Sequence, residues 1–132
     1  MILVDTSVWI DFLTGTRSSH RRLLHTLLEE EQDLCLTEII VTEILQGIKG
    51  DAEYKKIRSF LKEFPIFSLN GLPSFLHAAM IYRKCRKRGF TVRSTIDCMI
   101  AVVAVENRIA LFAKDRDFRS IAEVEPLVLV EV

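Results

Sequence analysis

Acidic side chains that follow apolar runs are the residues of this sequence best placed to do chemistry. Asp5 comes directly after the run Ile2–Val4, and Asp115 with Asp117 after the run Ile109–Ala113. Asp97 opens a segment that is apolar almost all round (Ile96, Met99, Ile100, Val102, Val103, Val105), so its carboxylate belongs near the buried interior or in a cleft. Carboxylates converging on one place repel each other, and a hard divalent cation such as Mg²⁺ or Mn²⁺ neutralises them. Oxygen donors favour these ions over zinc, while His20, His25 and His77 are scattered at no metal-binding spacing and read as surface or structural residues. A carboxylate-held Mg²⁺ activates water and stabilises the leaving oxygen of a phosphodiester, which is nuclease chemistry.

The elements that must position these acids can be read from periodicity. Short apolar runs at Ile2–Val4, Leu34–Leu36, Ile66–Leu69, Ile109–Ala113 and Leu127–Val130 read as buried strands. Helical patterns lie between them at Ser7–Leu13, Arg21–Glu31, Glu38–Ile48, Glu53–Glu63, Pro73–Arg88 and Thr95–Asn107. Strands separated by helices imply crossovers, hence an α/β three-layer domain with a mainly parallel central sheet of about five strands flanked by helices. In such open sheets the working crevice lies beyond the carboxyl ends of the strands, where Asp5, Asp115 and Asp117 stand.

Each acid also has a plainer reading. Ser94-Thr95-Ile96-Asp97 has capping-box spacing, and an Asp in a first turn suits the helix dipole. Glu43 points away from the stripe Val41, Ile44, Leu45 and Ile48, which reads as solvated. Lys114-Asp115-Arg116-Asp117 has the composition of a charged surface turn.

The 132 residues suit a single domain spanning 1–132, with no repeat, linker or low-complexity tract. The longest apolar run, Met99–Val105, is far too short to cross a membrane. The opening residues lack a basic region and cleavage site, so a cytoplasmic location is expected. Cys35, Cys85 and Cys98 are widely spaced without a CxxC pair, which argues against a disulfide or zinc framework; Cys35 and Cys98 read as core. Lysine plus arginine equals aspartate plus glutamate at 18 each, so overall charge indicates no nucleic-acid partner and only its distribution can.

The segments Met1-Ile2-Leu3-Val4-Asp5-Thr6-Ser7, Thr42-Glu43-Ile44-Leu45-Gln46-Gly47, Ile96-Asp97-Cys98-Met99-Ile100-Ala101 and Asp115-Arg116-Asp117-Phe118 resemble the acidic motifs of PIN-domain ribonucleases in type, order and spacing. The small single-domain form is similar to the VapC toxins of toxin–antitoxin modules, over essentially the whole chain. The resemblance implies a Mg²⁺- or Mn²⁺-dependent endoribonuclease in which Asp5, Glu43, Asp97 and Asp115 form the catalytic, metal-binding quartet. It overrules the solvated reading of Glu43. Asp117 is placed as an accessory or structural acid, since the last motif offers both it and Asp115. Thr6 or Ser7 is expected to hold a metal-bound water or to cap the following helix, the cap being assigned to Ser7. Gly47 is expected to permit close approach of another backbone. The resemblance further implies a VapB-type antitoxin whose segment covers the acidic cleft, and a homodimer.

Arg83, Lys84, Arg86, Lys87, Arg88 and Arg93 form the densest basic stretch, with no acid among them. Arg86, Lys87, Arg88 and Arg93 are the residues expected to guide RNA, against the alternative that cations at a helix end only complement its dipole. Trp9, Ile10, Phe12 and Leu13, with Phe60, Phe64, Phe67 and Phe75, supply more apolar surface than one sheet face needs, so some is expected to face another chain. Two other readings compete with it. Aspartate-based phosphotransfer fits poorly, because Thr6 and Ser7 stand where such a phosphatase needs Asp-x-Asp-x-Thr, and Asn70 where a receiver keeps its phosphoacceptor. A catalytically silent PIN-like module that binds RNA or protein gives no physical reason to keep carboxylates together.

Overall fold

Residues 1–132 are described by a computed structural model. The apolar runs nearest the acids form its sheet: β1 (Ile2–Val4), β2 (Leu34–Cys35) and β3 (Ala110–Phe112), all parallel in the order β2-β1-β3. Leu3 of the central strand lies opposite Cys35 on one side and Leu111 on the other, and Val4 opposite Phe112. Leu3, Val4, Leu111 and Phe112 are fully buried, as expected of a parallel sheet flanked by helices.

The sheet has three strands, not about five. Ile66–Leu69 and Leu127–Val130 do lie along the two edges, but each pairs at a single parallel bridge, Leu36 with Ile66 and Leu111 with Leu129. Beside these bridges the backbone cannot continue the pairing: Pro65 has no N–H to give Leu34, and the Ile109 N–H that a longer ladder on β3 needs donates to the Ala104 carbonyl instead.

The helices are α1 (Thr6–Thr14), α2 (Ser19–Glu29), α3 (Glu38–Gln46), α4 (Asp51–Leu61), α5 (Leu72–Lys87), α6 (Thr95–Glu106) and α7 (Asp117–Ala122). Six match expected helical segments within about two residues at each end. The seventh was unexpected: Asp115–Asp117 is not a solvated turn but leads into a short helix whose Phe118 and Ile121 are buried. α1 contacts α2 and α3, and α5 contacts α6 and α7. α6 is buried continuously from Ile100 to Ala104, which explains its all-round apolarity.

The aromatic surplus is consumed largely inside the molecule. Trp9 is fully buried and meets Phe12, Phe60 and Phe64 edge-on at centroid distances of 6.0, 5.8 and 5.6 Å. Ile10 and Phe75 remain exposed. All three cysteines are free and buried, and no helix is long and apolar enough to cross a membrane.

β1 ends at Asp5 and β3 ends just before the acidic loop, so the packing of these two strands sets the spacing of the acids. Leu3→Ala leaves a cavity at the centre of the sheet and is expected to cost about 3–5 kcal/mol. Chemical denaturation checks this; a loss below about 1 kcal/mol contradicts the central role given to β1.

Candidate metal centre

Asp5 ends β1 and caps α1, and its backbone N–H donates to the Phe112 carbonyl at 2.9 Å, tying the acid to both strands. The backbone N–H and hydroxyl of Ser7 both donate to Asp5 Oδ2, at 3.2 and 2.7 Å. Asp5, not Ser7, is therefore the helix cap, which corrects the expectation for Ser7. The Ser7 hydroxyl also accepts the Lys114 backbone N–H at 3.1 Å, joining α1 to the acidic loop. Thr6 donates its hydroxyl to Glu43 Oε1 at 2.7 Å, drawing α3 to the start of α1. This contact, 37 residues apart in sequence, is why half-buried Glu43 is not simply solvated.

Asp97, Asp115 and Asp117 each place a carboxylate oxygen within 4.8 Å of the other two. Asp97 sits in the first turn of α6. The Ser94 cap forms, its hydroxyl accepting the Ile96 N–H at 3.1 Å, but the Asp97 carboxylate takes no part in it and accepts no hydrogen bond. The capping-box reading fails at its acidic member. Asp115 Oδ1 accepts the backbone N–H of Asp117 at 2.9 Å, and Asp117 Oδ2 accepts that of Arg93 at 2.9 Å. Asp117 is buried at 7% exposure, while Asp115 is half-buried. Asp117 thus stands with Asp97 and Asp115, whereas Asp5 and Glu43 lie outside this triplet but close enough to act on its charge.

The donors share a pattern. One oxygen is held on each of Asp5, Glu43, Asp115 and Asp117 (Oδ2, Oε1, Oδ1 and Oδ2), and the other accepts nothing from the protein. Holding one oxygen fixes the carboxylate and leaves the second to project, as supporting hydrogen bonds do for metal ligands. Burial, then the charges of Asp5, Asp115, Asp117 and Glu43, push the Asp97 carboxyl up to about 7. Burial likewise raises Asp5, partly offset by its Ser7 hydrogen bonds. An all-oxygen set with this much uncompensated negative charge fits a hard divalent cation.

Two cations frame the acidic loop. Lys114 Nζ pairs at 2.8 Å with buried Asp11, whose Oδ2 also accepts the Ser18 hydroxyl at 2.8 Å, so the residue before Asp115 is clamped onto α1. The Arg93 guanidinium lies 3.3 Å from Asp115 Oδ1 and 3.5 Å from Asp117 Oδ2. Arg93 is thus engaged with the acids themselves, while Arg86, Lys87 and Arg88 are exposed at the end of α5, with Arg86 over the Tyr82 ring and Arg88 over Phe90. Sequence periodicity carried no sign of the Asp11–Lys114 pair, whose members are 103 residues apart. The histidines stand in other surroundings: His20 stacks on Phe112, His25 pairs with Glu29, and His77 bridges Glu106 and Glu125.

A groove borders the centre. Ile10, Leu13, Ile44, Gly47 and Ile48 line a hollow of about 380 Å³ between α1 and α3 that reaches Glu43. A Cβ at Gly47 would meet nothing nearer than the Ile44 carbonyl at 3.7 Å, so this glycine keeps the groove wall low rather than serving a contact within the chain.

The family model described as PIN domain matches residues 2–124, and the chain belongs to the PIN-domain family. A VapC ribonuclease of Mycobacterium bovis and ribonuclease VapC11 of Mycobacterium tuberculosis are each 34% identical to it over 128 residues, 96% of both chains; within the family it belongs to the VapC group. Among solved structures, VapBC2 from Rickettsia felis bound to a promoter DNA fragment matches at TM-score 0.73 and 17% identity, covering 98% of each chain. FitAcB from Neisseria gonorrhoeae matches at TM-score 0.73 and 19% identity, covering 99% of this chain and 97% of that one. VapC20 of M. tuberculosis, described as a sarcin-ricin loop cleaving toxin, matches at TM-score 0.64 and 15% identity over 91% of this chain and 94% of its own. These three show likeness of fold.

The crowding at Asp97 sets a pH dependence. The folded chain keeps the Asp97 proton up to about 7, whereas the unfolded chain releases it near 3.8. The stability this residue contributes is complete below the lower value and is lost as pH rises to the upper one. In EDTA above pH 7, Asp97→Asn is expected to be more stable than the parent by about 1–2 kcal/mol, and the difference should vanish below pH 4. Excess Mn²⁺ should stabilise the parent and not the variant. Thermal melts across this range check it, and parallel curves in EDTA contradict it.

Proposed function

We propose that the protein is a Mg²⁺- or Mn²⁺-dependent endoribonuclease, the toxin of a VapB-type antitoxin pair. The observation that carries the reading is the free oxygen left on each of Asp5, Glu43, Asp115 and Asp117 around Asp97, whose own carboxylate has no donor. The names of the curated relatives support ribonuclease activity, and the VapBC structures support the antitoxin. PIN-domain membership leaves the phosphotransfer alternative without ground.

In this reading Asp97, Asp115 and Asp117 hold the cation directly, with Asp5 and Glu43 adding charge and further oxygens. The bound ion supplies activation of water and stabilisation of the departing oxygen of an RNA phosphodiester. Ser7 keeps Asp5 aimed and Thr6 keeps Glu43 aimed, while the Lys114–Asp11 clamp keeps Asp115 at its height above the sheet. Cys98, next to Asp97, is fully buried and its thiol is pushed up to about 12 by burial, so it does not serve as a nucleophile. Arg86, Lys87 and Arg88, exposed on α5, attract the phosphate backbone.

The apolar groove from Ile48 to Glu43 suits a segment of the antitoxin, whose docking there covers the acids. Leu72, Phe75, Leu76 and Met80, exposed along one side of α5, offer the surface for a homodimer.

Two outcomes test the reading. Purified protein is expected to cut a mixed RNA pool in Mn²⁺ or Mg²⁺ but not in EDTA, and Asp97→Asn, still folded, is expected to lose at least about a hundredfold in rate. Equal cutting by parent and variant, or none by the parent with metal bound, contradicts it. Ile48→Asp is expected to weaken antitoxin binding at least about tenfold while RNA cleavage stays near that of the parent. Unchanged binding by titration moves the antitoxin to another face.

A further inference from the structure

Arg93 deepens the metal reading and rests on it. Its side chain reaches Asp115 and Asp117 at 3.3 and 3.5 Å, and its backbone N–H is bonded to Asp117 at 2.9 Å. The other basic residues of the acidic loop and α7 are differently engaged: Lys114 pairs with Asp11, Arg119 with Glu131, and Arg116 with no acid. Arg93 is therefore the cation paired with the cluster, and it comes from the loop between α5 and α6. Its side chain is 71% exposed, so the ion pairs are solvent-screened and readily exchanged. The backbone contact, made to the buried Asp117, holds the residue in place whether or not the guanidinium stays.

We infer that Arg93 is the resident counter-ion of the acidic centre: its guanidinium, on the oxygens of Asp115 and Asp117 that the backbone also holds, neutralises part of their charge and so weakens the binding of a divalent cation at the oxygens left free. The mobile guanidinium and the fixed backbone N–H divide two tasks. The first makes metal entry a competition, and the second keeps Asp117 oriented throughout. With a cation bound, the guanidinium is free to leave the acids yet stays tethered at the rim of the centre, where a substrate phosphate has to approach.

Calorimetric titration of the whole protein with Mn²⁺ at low ionic strength tests this without reference to cleavage. Arg93→Ala is expected to bind Mn²⁺ at least about threefold tighter than the parent, and Arg93→Lys, which keeps the charge, to stay close to it. The advantage of the Ala variant should shrink in high salt, as screening weakens the competing ion pair. Arg86→Ala, in which the lost guanidinium lies over Tyr82 on α5, controls for net charge and should bind like the parent. Equal or weaker binding by Arg93→Ala overturns the inference, as does the same tightening in Arg86→Ala. Absence of Mn²⁺ binding in the parent overturns the metal reading itself, a result distinct from any difference among the variants.

Discussion

Mutual repulsion among carboxylates is the constraint around which this molecule is arranged. Five acids gather where β1 and β3 end, and Asp97 has neither a cation nor a hydrogen-bond donor of its own. Such an arrangement opposes folding unless something compensates it. The compensation comes from the surrounding elements: Ser7 and the start of α1 for Asp5, Thr6 for Glu43, the backbone of the acidic loop for Asp115, and Arg93 for Asp117. Each device takes one oxygen and leaves the other, so the charge is tolerated without being used up.

This division explains why the supporting contacts span such long distances in sequence. Ser7 meets Lys114 across 107 residues and Thr6 meets Glu43 across 37. The acids come from the ends of β1 and β3 and from α3 and α6, and no local device could fix them relative to one another. The parallel sheet does so because its strands end on one edge. The Asp11–Lys114 clamp lies on the α1 side of the loop and Arg93 on the other, the former anchored on a buried carboxylate and the latter open to solvent. A pair with one buried partner exchanges less readily than an open one, which yields to a competing cation.

Much of the frame was legible in the chain. Apolar runs at Ile2–Val4 and Ile109–Ala113 gave the sheet's centre, and helical periodicity gave six of the helices, because burial imposes period on sequence. The two edge runs pair less than their composition suggests, since apolarity alone does not reveal that Pro65 and the Ile109–Ala104 bond stop the ladder. Asp5 and Asp97 could be picked out by position. The burial of Asp117 beside Asp97 and Asp115 is not legible because a six-residue helix carries too little periodic signal, although Phe118 and Ile121, three apart, are its trace. Glu43 showed the limit of periodicity most clearly: pointing away from its own helix's stripe, it meets Thr6 of another. In the sequence Arg93 is one member of a basic stretch, because pairing with Asp115 and Asp117 depends on how the loop before α6 folds back.

The central claim is that the acids at the sheet edge hold a divalent cation, and diffraction from Mn²⁺-soaked crystals recorded at the manganese absorption edge addresses it most directly. The account predicts an anomalous peak at bonding distance from Asp97, Asp115 and Asp117, absent in Asp97→Asn crystals grown and soaked alike. A parent crystal with no peak there, or with manganese bound only at unrelated surface carboxylates, would contradict it.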